Sequence, residues 1–84
     1  MNNEIETEIS DHSIEEYTVE IIHNVITSSN IPADRMTPDE KTEILKKMKD
    51  KGVFRIKGAV REIARQLETS EPTIYRYLKT IEQQ

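Results

Sequence analysis

Apolar residues recur at helical spacing along most of the chain, in runs broken by proline, glycine or clusters of small polar residues. Ile14, Tyr17, Ile21, Ile22, Val25 and Ile26 follow one another at steps mostly of three and four, the stripe of an amphipathic helix of about fourteen residues. Ser13, three residues before Glu16, reads as a capping box in which hydroxyl and carboxylate each satisfy a free backbone N–H. The stretch TSSNIP ends this helix, since Pro32 cannot continue one. Thr37 then caps a second helix, with Pro38 at its first position and Asp39 and Glu40 at the positive end of its dipole. Ile44, Leu45 and Met48 form its inner face; Lys46, Lys47, Lys49 and Lys51 suit its end, and Gly52 is its stop. The segment VFRI, residues 53–56, is expected to be an extended connector with Phe54 in the core. Residues 1–12 are acidic and lack a sustained period, so a mobile tail is expected there, ahead of a single domain over residues 13–84.

From Gly58 the chain reads GAVREIARQLETSEPTIYRYLKTI. Two short helices separated by a tight turn are implied, the spacing of a helix-turn-helix over residues 58–82. Val60, Ile63, Ala64 and Leu67 line the first, and the small Ala64 lets the second helix cross closely. Ser70 caps the second helix, Glu71 and Pro72 fill its first turn, and Ile74, Tyr77 or Leu78, and Ile81 face inward. The outward face is then Glu71, Pro72, Thr73, Tyr75, Arg76 and Lys79. A reading helix presents such residues to base edges in the major groove. The same periodicity also suits a helical hairpin that binds protein. The fold class expected is all-α, a small domain of about four helices ending in the helix-turn-helix.

Charge sharpens this choice. The net charge of −4 is unpromising for a polyanion binder. Residues 1–45, however, hold two bases against eleven acids, a balance of −9, and residues 46–84 hold ten bases against five acids, a balance of +5. The basic half is the one that carries the motif, which points to an anionic partner. With no cysteine there is no disulfide and no thiolate metal site. His12 lies in the tail and His23 sits off the apolar stripe, so the two form no ligand set and no metal is expected. Glu15, Glu16 and Glu20 lie on a helix surface with nothing to raise a pKa, and Gly52 and Gly58 are too far apart for a phosphate loop. Neither an enzyme nor a cofactor is expected. The first thirty residues lack a basic start followed by an apolar run, and no apolar stretch approaches the roughly 20 residues that span a bilayer, so a cytoplasmic protein is expected.

The stretch from Ile31 to Ile81 resembles the C-terminal DNA-binding domain of the YheO-like (DauR-like) bacterial transcriptional regulators. The matching pieces are Ile31–Pro32, EKTEIL before the glycine, KGVFRIKGAV at residues 51–60, Ile63–Ala64 and SEPTIYRYL at residues 70–78. KGVFRIKGAV is the specific part, since PTIYRYL recurs in many helix-turn-helix families. The resemblance implies transcriptional regulation, with Thr73, Tyr75 and Arg76 on the reading helix. Relatives carry a PAS-like sensor upstream that these 84 residues do not hold, so ligand sensing is not carried over. Their turn reads Leu-Gly-Val-Ser where this chain has Leu67-Glu68-Thr69-Ser70. Glycine suits a left-handed backbone, and glutamate would hold it at a cost on the order of 1 kcal/mol.

The residues expected to meet double-stranded DNA are therefore Lys57, Arg61, Arg65, Ser70, Glu71, Pro72, Thr73, Tyr75, Arg76 and Lys79. Arg76 suits bidentate reading of guanine; Lys57, Arg61, Arg65 and Lys79 suit phosphate. Ile14, Tyr17, Ile21, Ile22 and Val25, on the helix over residues 13–28, are expected to form the seam of a homodimer, as two-fold binders read half-sites about 34 Å apart. The alternative is a small partner or antagonist of a larger regulatory protein that keeps the same fold.

Overall fold

Local start and stop signals divide the chain into four α-helices joined by short turns. The computed structural model describes residues 3–83, and side chains from Ile14 onward. Helix α1 is Asn3–Thr27, α2 is Pro38–Asp50, α3 is Ala59–Gln66 and α4 is Glu71–Glu82, with single 3-10 turns at Ala33–Arg35 and Val53–Arg55. There is no strand among the described residues, and the domain is all-α.

Helix α1 is longer than its apolar stripe predicts. Its 25 residues begin ten positions before Ser13, so the backbone N–H groups that a cap at Ser13 would satisfy already lie inside a helix. The side chains of His12 and Ser13 lie outside the described residues. At its other end, serine chemistry stops α1 before Pro32 is reached. Ser28 Oγ donates to the Val25 carbonyl at 2.6 Å and Ser29 Oγ to that of Ile26 at 2.7 Å, bonds by which short polar side chains compete with the helix ladder. Asn30 then turns left-handed at φ +60°.

Helix α2 starts as its sequence predicts. Thr37 Oγ1 accepts from the Glu40 N–H at 3.1 Å, and Glu40 Oε1 from the Thr37 N–H at 2.9 Å. It ends where Gly52 adopts φ +80°, with open space where a Cβ would sit; conformation, not crowding, is the reason for glycine. The next residues correct the expectation of an extended connector. They form a 3-10 turn in which Arg55 N–H donates to Gly52 O and Ile56 N–H to Val53 O. That turn buries Val53 completely, while Phe54 is only half-buried against the core.

Ile22, Leu45, Met48, Val53, Ile63, Leu67 and Ile74 are fully buried and form the centre of the core. Around them α1 packs on α3 and α2, α2 on α4, and α3 on α4. Helices α1 and α3 run the same way. Ile14, Thr18 and Val19 border Lys57, Gly58 and Arg61, and farther along His23, Ile26 and Thr27 border Arg65, Gln66 and Glu68. Gln66 Nε2 fastens the pair by donating to the Val19 carbonyl at 3.1 Å. No helix among the described residues is long and apolar enough to cross a membrane.

Candidate nucleic-acid interface

The turn between α3 and α4 holds the second helix at a fixed angle to the first. Leu67 is fully buried and Glu68 adopts φ +56°, the left-handed conformation expected at this position. Thr69 N–H then donates to the Ala64 carbonyl at 2.9 Å and Glu68 N–H to that of Arg65 at 3.3 Å, which closes α3 as a Schellman turn. Holding glutamate in this backbone costs on the order of 1 kcal/mol relative to glycine. Ser70 opens α4 as its cap, its Oγ accepting from the Thr73 N–H at 3.3 Å. Ala64 is buried at the crossing, where a longer side chain would push the helices apart.

Helical periodicity then sorts α4 into two faces. Ile74 and Ile81 are buried, and Tyr77 and Leu78 are both half-buried, so the inner face uses both residues between which the spacing alone did not decide. Glu71, Pro72, Tyr75, Arg76 and Lys79 are exposed, Tyr75 by 57%. Thr73 is half-buried. Its hydroxyl lies 2.8 Å from Ser70 Oγ and accepts from Arg76 Nη2 at 3.1 Å.

The basic residues of the supporting helix are placed differently from one another. Lys57 is exposed just ahead of α3. Arg61 is exposed, and its Nε lies 4.0 Å from Glu71 Oε2, which brings it to the first turn of α4. Arg65 is instead bonded to Glu62 through both Nε and Nη2. Gln66 Nε2 donates to the same carboxylate at 2.7 Å. The Arg65 hydrogen bond is the largest cause that holds the Glu62 carboxyl below the usual range, against the opposing pull of partial burial. The structure thus brings Arg61 to the first turn of α4, leaves Lys57 ahead of α3 beside Ile14 and Thr18 of α1, and ties Arg65 into an ion pair of its own.

The five residues expected at a dimer seam are likewise divided. Ile22 and Val25 belong to the chain's own core and cannot serve a seam. Ile21 is half-buried, and Ile14 and Tyr17 are exposed by 58% and 61%. The Arg61–Glu71 approach, the Glu62–Arg65 pair and the Gln66 tether were not anticipated from the sequence. The three-residue step from Glu62 to Arg65 signals such a pair; the other two depend on packing between helices.

A family model described as an HTH domain matches residues 18–79. The chain belongs to this helix-turn-helix family. The match starts inside α1 and runs through α2, α3 and most of α4, so the family's unit includes the helices that support the motif. The helix-turn-helix is a DNA-binding kind of domain, and DNA is the partner it indicates for this chain. No curated protein and no solved structure gives a significant match.

Proposed function

We propose that this helix-turn-helix chain is a sequence-specific double-stranded DNA-binding protein that regulates transcription in a bacterium. The observation that carries this reading is the exposed face of Pro72, Tyr75, Arg76 and Lys79 on a capped α4, with Arg61 brought to its first turn. A helix presented this way enters the major groove with its N-terminal residues toward base edges. Arg76 reads a guanine, and Tyr75 and Pro72 pack against the groove wall. Lys57, Arg61 and Lys79 contact phosphates; Arg65 joins them by leaving Glu62. The resemblance to the YheO-like regulators supports the same assignment, and its specific segment KGVFRIKGAV forms the turn before α3 and the start of α3, the helix on which α4 packs. The outer strip of Ile14, Tyr17 and Ile21 is the seam with a second copy, because it leaves large apolar surface exposed on the helix next to α3.

Selection from a random-sequence duplex pool tests the reading directly. An enriched sequence is expected, bound more tightly than random DNA and with a steep salt dependence. Equal affinity for selected and random duplexes removes sequence-specific DNA binding. In that case the exposed acids Glu68, in the turn before α4, and Glu71, in its first turn, favour the second reading, a small partner of a larger regulator.

A further inference from the structure

The outer face of α4 contains a chain of hydrogen bonds that starts at Arg76 and ends at the Ser70 cap. Arg76 has donors only, so its Nη2 gives a hydrogen to Thr73 Oγ1. Thr73 Oγ1 lies 2.8 Å from Ser70 Oγ, and Ser70 Oγ also accepts from the Thr73 backbone N–H. Whichever hydroxyl donates in the Ser70–Thr73 bond, one oxygen of the pair accepts twice and the pair retains a single free hydroxyl hydrogen. The three residues sit at steps of three on one side of the helix, where such contacts are sterically natural. Thr73 is half-buried while Arg76 is exposed, so the threonine is the fixed member and the arginine the one that is held.

We infer that Thr73 is a positioning residue for Arg76: its hydroxyl, oriented by the Ser70 cap, presets the guanidinium for one base pair. This rests on the DNA-reading role proposed above and assigns Thr73 a different part in it from direct contact. A long arginine loses rotamer freedom when it binds in one pose, and a fork already held in place loses less. The cap and the specificity of the reading helix are thereby linked through one side chain. Glu71, in the same first turn, has no part in the chain, since it approaches Arg61.

Thr73→Val removes the hydroxyl at nearly constant shape and leaves Ser70 its backbone donor, so α4 keeps its cap; Thr73→Ser keeps the hydroxyl. With selected duplexes that differ only at the base pair read by Arg76, Thr73→Val should lower the preference about tenfold, roughly the weaker end of what a bidentate contact discriminates. Affinity for random DNA and the salt slope should stay unchanged. Thr73→Ser should restore the preference, and Thr73→Val should change nothing in an Arg76→Ala background. Thermal unfolding of both variants checks that the fold is kept. If Thr73→Val and Arg76→Ala act additively, or if Thr73→Val weakens all duplexes alike, Thr73 contacts DNA itself and the inference fails while the DNA-reading role stands. A wild type with no preferred duplex overturns both.

Discussion

Tyr17 on α1 and Tyr75 on α4 are exposed to nearly the same degree, 61% and 57%, yet they belong to surfaces of opposite character. Tyr17 stands among the exposed Glu15, Glu16 and Glu20, with no lysine or arginine on its helix. Tyr75 stands between Pro72, Arg76 and Lys79, with Arg61 brought to the start of the same helix. Aromatic exposure alone therefore does not identify a partner. The charges around the ring do, because a phosphate backbone is repelled from the first surface and drawn to the second.

The largest effect should separate core from seam on α1. Ile22→Ala, one step around the helix from Ile21, opens a cavity in the core and should cost about 2–5 kcal/mol of stability in denaturant unfolding. Tyr17→Glu should leave monomer stability within about 0.5 kcal/mol. In sedimentation it should convert the proposed dimer to monomer. A wild type that stays monomeric at high micromolar concentration breaks the assignment of Tyr17 to self-association.

Next comes the division of labour on α4. Arg76→Ala should reduce affinity for the preferred duplex by about 1–3 kcal/mol and relax selection at one base pair. Lys79→Ala should weaken all duplexes similarly and flatten the salt slope by about one unit. Identical behaviour of the two variants across a mismatch series would remove the distinction between reading and positioning. Tyr75 would then need no different explanation from Tyr17.

Smaller effects probe the turn and the supporting helix. Glu68→Gly should relieve the left-handed backbone and stabilise the domain by about 0.5–1 kcal/mol, visible as a rise in Tm. It also removes an acid from the turn that leads into α4, so binding to every duplex should tighten modestly. Glu62→Gln should have the least effect, a fall in Tm on the order of 2 °C near neutral pH. Its pH dependence has a definite sign. Because folding lowers the Glu62 pKa, its contribution is complete above the ordinary carboxylate range and disappears as pH falls through the lowered value. Wild type and Glu62→Gln should therefore converge in acid; a gap that persists there assigns the effect to packing.

Most of the helices and the motif were legible because their signals are local. The Thr37 cap, the stop at Gly52, the left-handed turn at Glu68 and the Ser70 cap each depend on a few neighbouring residues, and each stands in the structure as the sequence predicts. The Glu40 side chain also completes a box at Thr37, beyond the dipole role that the sequence pattern assigns it. The errors arose where local rules are silent. Residues before Ser13 lack an amphipathic period, so nothing in the pattern announces a helix from Asn3. Residues 53–56 are too few to reveal a period, and the turn set by Gly52 decides that Val53, not Phe54, enters the centre. Apolar spacing on α1 marks one broad stripe and cannot say which edge another helix covers. Ile22 and Val25 went to the core for that reason, while Ile14 and Tyr17 stayed outside. On α3 and α4, helical spacing identifies the exposed basic residues Arg61, Arg76 and Lys79, but the engagement of Arg65 by Glu62 depends on side-chain geometry.

The common direction of α1 and α3, with the Gln66 tether between them, has a mechanical consequence. The two helices form one strut, so a torque applied to α1 reaches α3 and, through a turn of four residues, α4. In the proposed two-fold assembly, the seam on α1 then sets the separation of the two α4 helices as well as the affinity of the copies. A helix advances about 1.5 Å and rotates about 100° per residue. One residue inserted between Ile21 and Ile22 would leave Ile22, Val25 and Ile26 in register with the core but swing Ile14, Tyr17 and Ile21 by more than a quarter turn. The spacing between half-sites would change with it, although no residue that touches DNA had been altered.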